Sequence, residues 1–409
     1  LYKRGIDSEP FPIKPAVSAA LQSLIRSAGF LYGTKQPKRF LHGVDPTGHC
    51  GAFFVKKSNG LLRVILDGRW ANVYFDPKFC TFSYFRFETL RHVIGNLSKH
   101  DTWYALNYDL RHWFHQIPLP SYFCRFLGMK LHSKKEGHWW AFPKSLPMGW
   151  IMAPFLAQCC TWAILMGCDP GTKWKDELGV DVRYVERMCK TQSGPLAWVP
   201  LLKGGGIFVF LDNILVVTPD KNVADNWCHK IISDCKLLHA HLKGGKGHDP
   251  DADVETQKRT LSDCFVTLST EGANSNNSFD FLGVRWYHNL RKVVISETES
   301  STLPRASSRR DVAGILGKIL WYRRVHGIKY FDSRYAAETR SILSIYRRLS
   351  PPVPEDGSPS SQGWNESFSL TDDERAGLTA AWQTRYNCQG QLAEIHSERI
   401  LISELAFAI

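Results

Sequence analysis

The stretch that most limits what this chain can fold into is IFVFLDNILVV, residues 207 to 217, in which two apolar runs are interrupted by a single polar pair, Asp212-Asn213. Short continuous runs rich in Val, Ile and Phe read as strands buried on both faces. An Asp-Asn pair between them has the composition of a two-residue turn. The expectation is therefore a hairpin whose strands meet at Asp212-Asn213. Phe208, Phe210, Ile214 and Leu215 would keep it dry and rigid, which strengthens ion binding and fixes ligand geometry.

A second carboxylate stands at the end of another strand-like run, WYALNYDL, at Asp109. Either aspartate alone is unremarkable, because Asp is common at strand ends and turns for local hydrogen-bonding reasons. Together, on adjacent strands, they make the arrangement that two-metal phosphoryl transfer needs. Charge agrees with a phosphate-bearing partner. The 51 Lys and Arg exceed the 39 Asp and Glu, for a formal net charge of +12, which favours nucleic acid or another polyanion.

Eleven cysteines occur singly or adjacent, as at Cys159-Cys160, without Cys-x-x-Cys pairs. That spacing argues against a disulfide framework or a zinc ribbon and for a reducing compartment, cytoplasm or nucleus. Cys228, Cys235, His239 and His241 match no zinc pattern and are read as structural. No apolar stretch approaches the ~20 residues of a membrane span, so no membrane partner is expected. The start is not a signal peptide, and the missing initiator Met points to a fragment or a polyprotein product.

The remaining text reads as mixed α and β. AFFVKKSNGLLRVILDGRWANVY is two β-rich runs around Ser58-Asn59-Gly60, a basic hairpin. FETLRHVIGNLSKH is amphipathic, and the apolar run from Phe155 to Met166 suits a buried helix. Residues 168–206 and 243–277 look like insertions or loops. FDFLGVRWY and RKVVI form an expected hairpin. Two helical patterns follow, RRDVAGILGKILWYRR and DSRYAAETRSILSIYRR, and then a Pro/Ser/Gly-rich linker from Ser350.

Several of these segments, in this order, resemble the reverse transcriptase family, over roughly Ala52 to Tyr322. The resemblance implies an α/β right hand of fingers, palm and thumb, with an antiparallel-sheet palm. Residues 1–40 would be an N-terminal extension, 41–300 fingers and palm, 301–350 a helical thumb, and 351–409 a linker and connection segment. It implies further that Lys56 and Arg63 clamp the incoming triphosphate, and that YALNYDLRHWFHQ carries metal ligands at Asp109 and the Leu110 carbonyl. Phe114 would be the steric gate that excludes a 2′-hydroxyl. SLPMGW resembles the segment against the nascent base pair, with Met148 where retroviral enzymes have Gln, a packing side chain without hydrogen-bonding ability.

Phe210-Leu211-Asp212-Asn213 resembles the second catalytic motif, its usual second aspartate replaced by an amide that coordinates only through a neutral oxygen. Polymerases of negative-strand RNA viruses resemble this Asp-Asn version. Leu282 and Gly283 fall at the turn of a primer-grip-like hairpin. Gly317 and Trp321, at i and i+4 on one helix face, resemble the thumb helix that tracks the minor groove. A lysine after the second motif would be the general acid, with Lys243, Lys246 and Lys258 as alternatives. The implied cofactors are two Mg²⁺ or Mn²⁺ ions, and the partners are dNTP and a primer on an RNA or DNA template. The gate and the Leu-Pro-x-Gly-Trp order look most like long-terminal-repeat (Gypsy-like) or DIRS-like retroelements. The acidic cluster of a ribonuclease H domain is not recognisable after Trp364, and such a module, or an integrase or recombinase, is expected elsewhere in a precursor. The rival expectation is a non-catalytic nucleic-acid-binding scaffold that kept the fold.

Overall fold

The computed structural model describes residues 31–35, 41, 46, 50–56, 62–72, 74–75, 84–133, 137–166, 173–191, 194–245, 247–269, 278–288, 292–295, 302–326, 328, 331–349, 366–387 and 393–394. Strands β1 (Leu31–Thr34), β2 (Gly51–Lys56) and β3 (Leu62–Asp67) precede helix α1 (Phe87–Leu97). Next come β4 (Thr102–Asp109), β5 (Met129–Ser133), β6 (Gly137–Pro143) and α2 (Ala153–Met166). Helix α3 (Val182–Thr191), β7 (Trp198–Pro200), β8 (Gly206–Phe210), β9 (Asn213–Thr218) and α4 (Lys221–Leu237) follow. After them lie α5 (Val254–Thr260), β10 (Phe265–Ser269), β11 (Ser278–Phe281), β12 (Val284–Tyr287) and β13 (Lys292–Ile295). Helices α6 (Arg309–His326), α7 (Ala336–Leu349) and α8 (Asp372–Asn387), with strand β14 (Ala393–Glu394), complete the elements used below.

The centre is an antiparallel sheet in the order β10-β4-β9-β8-β7. Successive side chains in a strand point to opposite faces, and here both faces are covered. Leu106, Tyr108, Ile207, Val209, Ile214 and Val216 enter one cluster with residues of α2 and α4, such as Ala157, Trp227 and Ile231. Trp103, Ala105, Phe208, Leu215, Val217 and Leu268 enter another with α1, β11 and β12. That is why β8 and β9 read as continuous apolar runs instead of alternating ones. By the same parity, Asp109 on β4 and Asn213 on β9 share the face of the second cluster.

Among the described residues, two stretches expected to be irregular contain regular elements. Within 168–206 the chain forms α3 and β7, and β7 extends the central sheet as an edge strand that ends at Pro200, a position where the missing N–H is tolerated. Within 243–277 it forms α5 and β10. Asp253 caps α5 by accepting from the Thr256 N–H, and β10 pairs along β4 from Phe265↔Leu106 to Ser269↔Thr102. Both strands are short, and each owes its order to a partner strand, β7 to the adjacent β8 and β10 to β4, distant in sequence, which composition alone does not reveal.

Smaller sheets flank the centre. β2 pairs with β3, β1-β6-β5 form a three-stranded sheet, and β11-β12-β13-β14 a four-stranded one. At the C-terminal side α6, α7 and α8 share a core of Val312, Ile315, Ile319, Ile342, Ile345, Leu378 and Trp382. The third helix follows the Pro/Ser/Gly-rich segment in sequence. α8 opens with a capping box, in which the Thr371 hydroxyl accepts from the Glu374 N–H and the Glu374 carboxylate from the Thr371 N–H. That carboxylate also takes hydrogen bonds from Ser344 and Arg348. Burial raises its proton affinity, but these hydrogen bonds outweigh that and hold it below the ordinary glutamate value. No described helix is long and apolar enough to cross a membrane.

Candidate active site

Asp109 ends β4 directly opposite Asn213, the first residue of β9. Phe210 pairs with Asn213, so the two-residue loop is Leu211-Asp212, one position earlier than the Asp-Asn composition suggested. Leu211 takes the positive backbone angle, φ +57°, in a region that disfavours a branched side chain by about 1–2 kcal/mol. Two polar residues of α2, both wholly buried, hold it there. Gln158 Oε1 accepts from the Leu211 N–H at 2.7 Å, and its Nε2 donates to Val209 O at 3.0 Å and Leu196 O at 3.3 Å. Thr161 Oγ1 donates to Leu211 O at 2.5 Å, with Ala157 O at 3.0 Å as a second acceptor. Asp212 O in turn accepts from the Leu110 N–H at 2.8 Å, so the Asp212 backbone is pinned on both sides.

Asp109 has a cationic partner, with Lys243 Nζ 2.8 Å from its Oδ2. The pair follows from the backbone. Lys243 N–H donates to Asp109 O at 2.7 Å, and Arg111 N–H to His241 O at 2.8 Å, which zips residues 241–243 against the end of β4. Gln116 clamps the same junction, accepting from the His241 N–H at 2.6 Å and donating to His241 O and Arg111 O. Of the alternative lysines, Lys258 pairs with Glu255 at 2.8 Å, and Lys246 lies outside the described residues. Asn213 Nδ2 donates to Asp212 Oδ1 at 3.0 Å, so the amide neutralises no charge but orients its neighbour's carboxylate.

Behind this edge, burial holds Tyr108 and its neighbouring cysteines in their neutral forms. Tyr108 donates to Cys228 Sγ at 3.2 Å, and burial pushes its hydroxyl far above the phenol range. Burial also raises the Cys235 thiol to about 12 and the Cys264 thiol to about 11. These thiols stay protonated, which agrees with a packing role. Among the described residues no three His, Cys, Asp or Glu side chains gather as a metal cluster. An ion at this edge would rest on Asp109, Asp212 and neutral oxygens such as the Asn213 amide or the Leu110 carbonyl. That all-oxygen set suits a hard divalent cation such as Mg²⁺ or Mn²⁺, which keeps several waters.

The other expected site residues lie on several different elements. Phe114, half-buried, packs against the central cluster on the turn Trp113–Gln116. Met148 O accepts from the Leu66 N–H of β3 at 2.9 Å, and Gly149 has φ +106° with Leu66 O 1.9 Å from where a Cβ would stand. Only glycine fits there. Asn72, which drew no attention as sequence, ties the same segment by donating to Gly149 O at 3.3 Å and accepting from the Ile151 N–H at 2.9 Å. Lys56 and Arg63 belong to the paired strands β2 and β3. Their side chains and the Ser58-Asn59-Gly60 turn lie outside the described residues.

Leu282 and Gly283 form the β11–β12 turn, with φ +52° and +75°, as in a type I′ hairpin. Asn107 of β4 donates to Asp280 O and so holds this hairpin against the central sheet. On α6, a Cβ built at Gly314 or Gly317 would meet nothing within 4 Å. Trp321 is 36% exposed and sets one edge against Phe87, ring centroids 5.0 Å apart. Among the described residues no internal contact requires those glycines, although each disfavours the helix by about 1 kcal/mol relative to Ala.

No protein-family model matches the chain, and no curated protein matches it in sequence. Among solved structures it is similar to a foamy viral protease-reverse transcriptase in complex with double-stranded DNA, at 12% identity and a TM-score of 0.46. The match covers 93% of this chain and 50% of that one, so the chain spans about half the length of the solved chain it matches.

Proposed function

We propose that the chain is the polymerase part of a reverse transcriptase, extending a primer 3′-hydroxyl with deoxynucleotides on an RNA or DNA template, and that its sheets and C-terminal helices act as fingers, palm and thumb. The observation that carries the reading is the paired edge of β4 and β9. Asp109 faces Asn213 across the ladder, Asp212 stands at the immobilised tip, and a lysine sits against Asp109.

Asp109 and Asp212 would hold Mg²⁺ or Mn²⁺, two ions in this reading, with the Asn213 amide and Leu110 carbonyl as further oxygens. When bound, such ions neutralise the charge that builds on the phosphate oxygens during in-line displacement. The protein supplies the rest. Lys56 and Arg63 contribute cations for the triphosphate, and Phe114 meets the sugar edge where a 2′-hydroxyl would be. Lys243 Nζ is the amine suited to give a proton to the departing pyrophosphate, because its backbone is tied to Asp109 itself. The bare glycine face of α6 lets a duplex approach the helix backbone, with Trp321 against a sugar and Arg310, Lys318 and Arg324 exposed for phosphates.

Asn213 is the observation that favours a second reading, a nucleic-acid-binding scaffold whose catalytic edge has lost a carboxylate. Primer extension with all four dNTPs on RNA and DNA templates, in Mg²⁺ and in Mn²⁺, separates the two. Extension that disappears in Asp109→Asn while primer-template binding persists supports the polymerase. Binding without extension in either metal supports the scaffold.

A further inference from the structure

α2 is an almost entirely apolar helix, APFLAQCCTWAILM, and two of its few polar residues, Gln158 and Thr161, are wholly buried. A buried amide with no partner is strongly unfavourable, yet both ends of Gln158 are used, and they converge on one place. Its oxygen takes the Leu211 N–H, and its nitrogen holds Val209 O of β8 and Leu196 O just before β7. Thr161, one turn further along the helix, takes the other side of the same residue, Leu211 O. Both peptide units around Leu211 are therefore anchored to the helix beneath the sheet.

Leu211 is also the residue in the left-handed region, φ +57°. Hairpin loops that need a positive φ ordinarily use Gly, Asn or Asp. A leucine persists there only if its surroundings overdetermine the conformation. The next residue is Asp212, whose own carbonyl is tied to Leu110, beside Asp109. We propose that Gln158 and Thr161 are positioning residues that hold Leu211 left-handed and so fix where the Asp212 carboxylate stands relative to Asp109. The inference rests on the polymerase reading, since it assigns those two carboxylates to divalent ions. Without the lock Leu211 relaxes toward negative φ, the 211–212 peptide rotates, and Asp212 turns away from the shared edge.

The test uses the full chain carrying Gln158→Met, Thr161→Val or Thr161→Ser, each in the presence of Leu211 and of Leu211→Gly. Mn²⁺ binding is followed by electron paramagnetic resonance, beside thermal unfolding and primer-template affinity. Thr161→Val removes one hydrogen bond with little change of volume and should weaken Mn²⁺ binding about tenfold. Thr161→Ser, which keeps the hydroxyl, should restore it. In the Leu211→Gly background, where positive φ carries no penalty, Gln158→Met and Thr161→Val should each weaken Mn²⁺ binding less. Primer-template affinity should not move. Folded Thr161→Val protein that binds Mn²⁺ as the wild type does overturns the positioning role and leaves the polymerase reading intact. A wild-type chain that binds no Mn²⁺ overturns both. Thr161→Val carries the test if Gln158→Met fails to fold.

Discussion

Asn213→Asp separates a tuned site from a decayed one. In the protein as it stands, Asn213 Nδ2 donates to Asp212 Oδ1 at 3.0 Å, and Asn213 faces Asp109 across the ladder. The substitution removes a hydrogen bond to a charged group, about 1.5–3 kcal/mol, and puts a third carboxylate beside two others. At an effective dielectric near 20, like charges 4 Å apart repel by roughly 4 kcal/mol. Protonation sets a ceiling, since an ordinary aspartate can be protonated at pH 7 for about 4 kcal/mol. Asp212 and Asn213 are only half-buried, so solvent screening brings the expected loss to about 2–4 kcal/mol in EDTA. Divalent ions reverse the sign. An ion that binds the folded state stabilises it by RT ln(1 + [L]/Kd), and the variant gains a charged ligand. Thermal unfolding across a Mn²⁺ and Mg²⁺ titration should show Asn213→Asp starting below the wild type and overtaking it, and extension should begin at lower Mg²⁺. Equal stability in EDTA with an unchanged metal dependence would refute both the amide's role and the carboxylate edge as an ion site.

Lys243→Met removes the cation that neutralises Asp109, so Mn²⁺ should bind more tightly while extension slows; unchanged values for both would take Lys243 out of the site. Phe114→Val should raise ribonucleotide incorporation relative to deoxynucleotide, and an unaltered ratio would assign Phe114 to packing alone. For His326, burial and then the nearby Arg91 guanidinium push the imidazole down to about 4, whereas an unfolded histidine titrates near ~6.5. The unfolded chain therefore takes up the proton first, and His326 should remove up to ~1.4 kcal/mol of stability per pH unit as pH falls from ~6.5 toward 4. Chemical denaturation of His326→Leu across that window should show a flatter pH dependence, and an identical slope would mean that the ring is already charged in the fold.

Much of the central sheet was legible because its strands are buried on both faces, which leaves an unmistakable run such as IFVF or ILVV. The turn between them was misplaced by one residue for an instructive reason. Turn composition ranks Asp-Asn as the pair that most readily adopts positive φ, but the register here is imposed from outside the hairpin, by Asn213 pairing with Asp109 and by α2 gripping Leu211. Local chemistry pointed to the cheapest turn, and tertiary contacts selected another. β7 and β10 failed to register for the related reason that edge strands of three and five residues carry too few apolar positions to declare themselves before their partners are known.

The residues that sequence reading passed over share a property. Gln158, Thr161 and Asn72 are neutral, and each acts mainly on another segment's backbone, at Leu211 for the first two and at Gly149 for the third. Charged residues announce chemistry because burial of a charge demands a reason. A neutral amide in an apolar helix is quieter, but the same physics applies to it in weaker form, since its donors and acceptors must be matched. The usable signal was Gln158 and Thr161 three apart within a helix whose other buried positions are apolar. Two polar groups on one face of such a helix must meet a segment that offers unpaired backbone N–H and C=O groups. In this sheet the pair meets them at the hairpin tip, on the Leu211 N–H and C=O, and beside it on the Val209 and Leu196 carbonyls. The polar pair thus marks which end of the buried hairpin is held rigid, and that end carries Asp212.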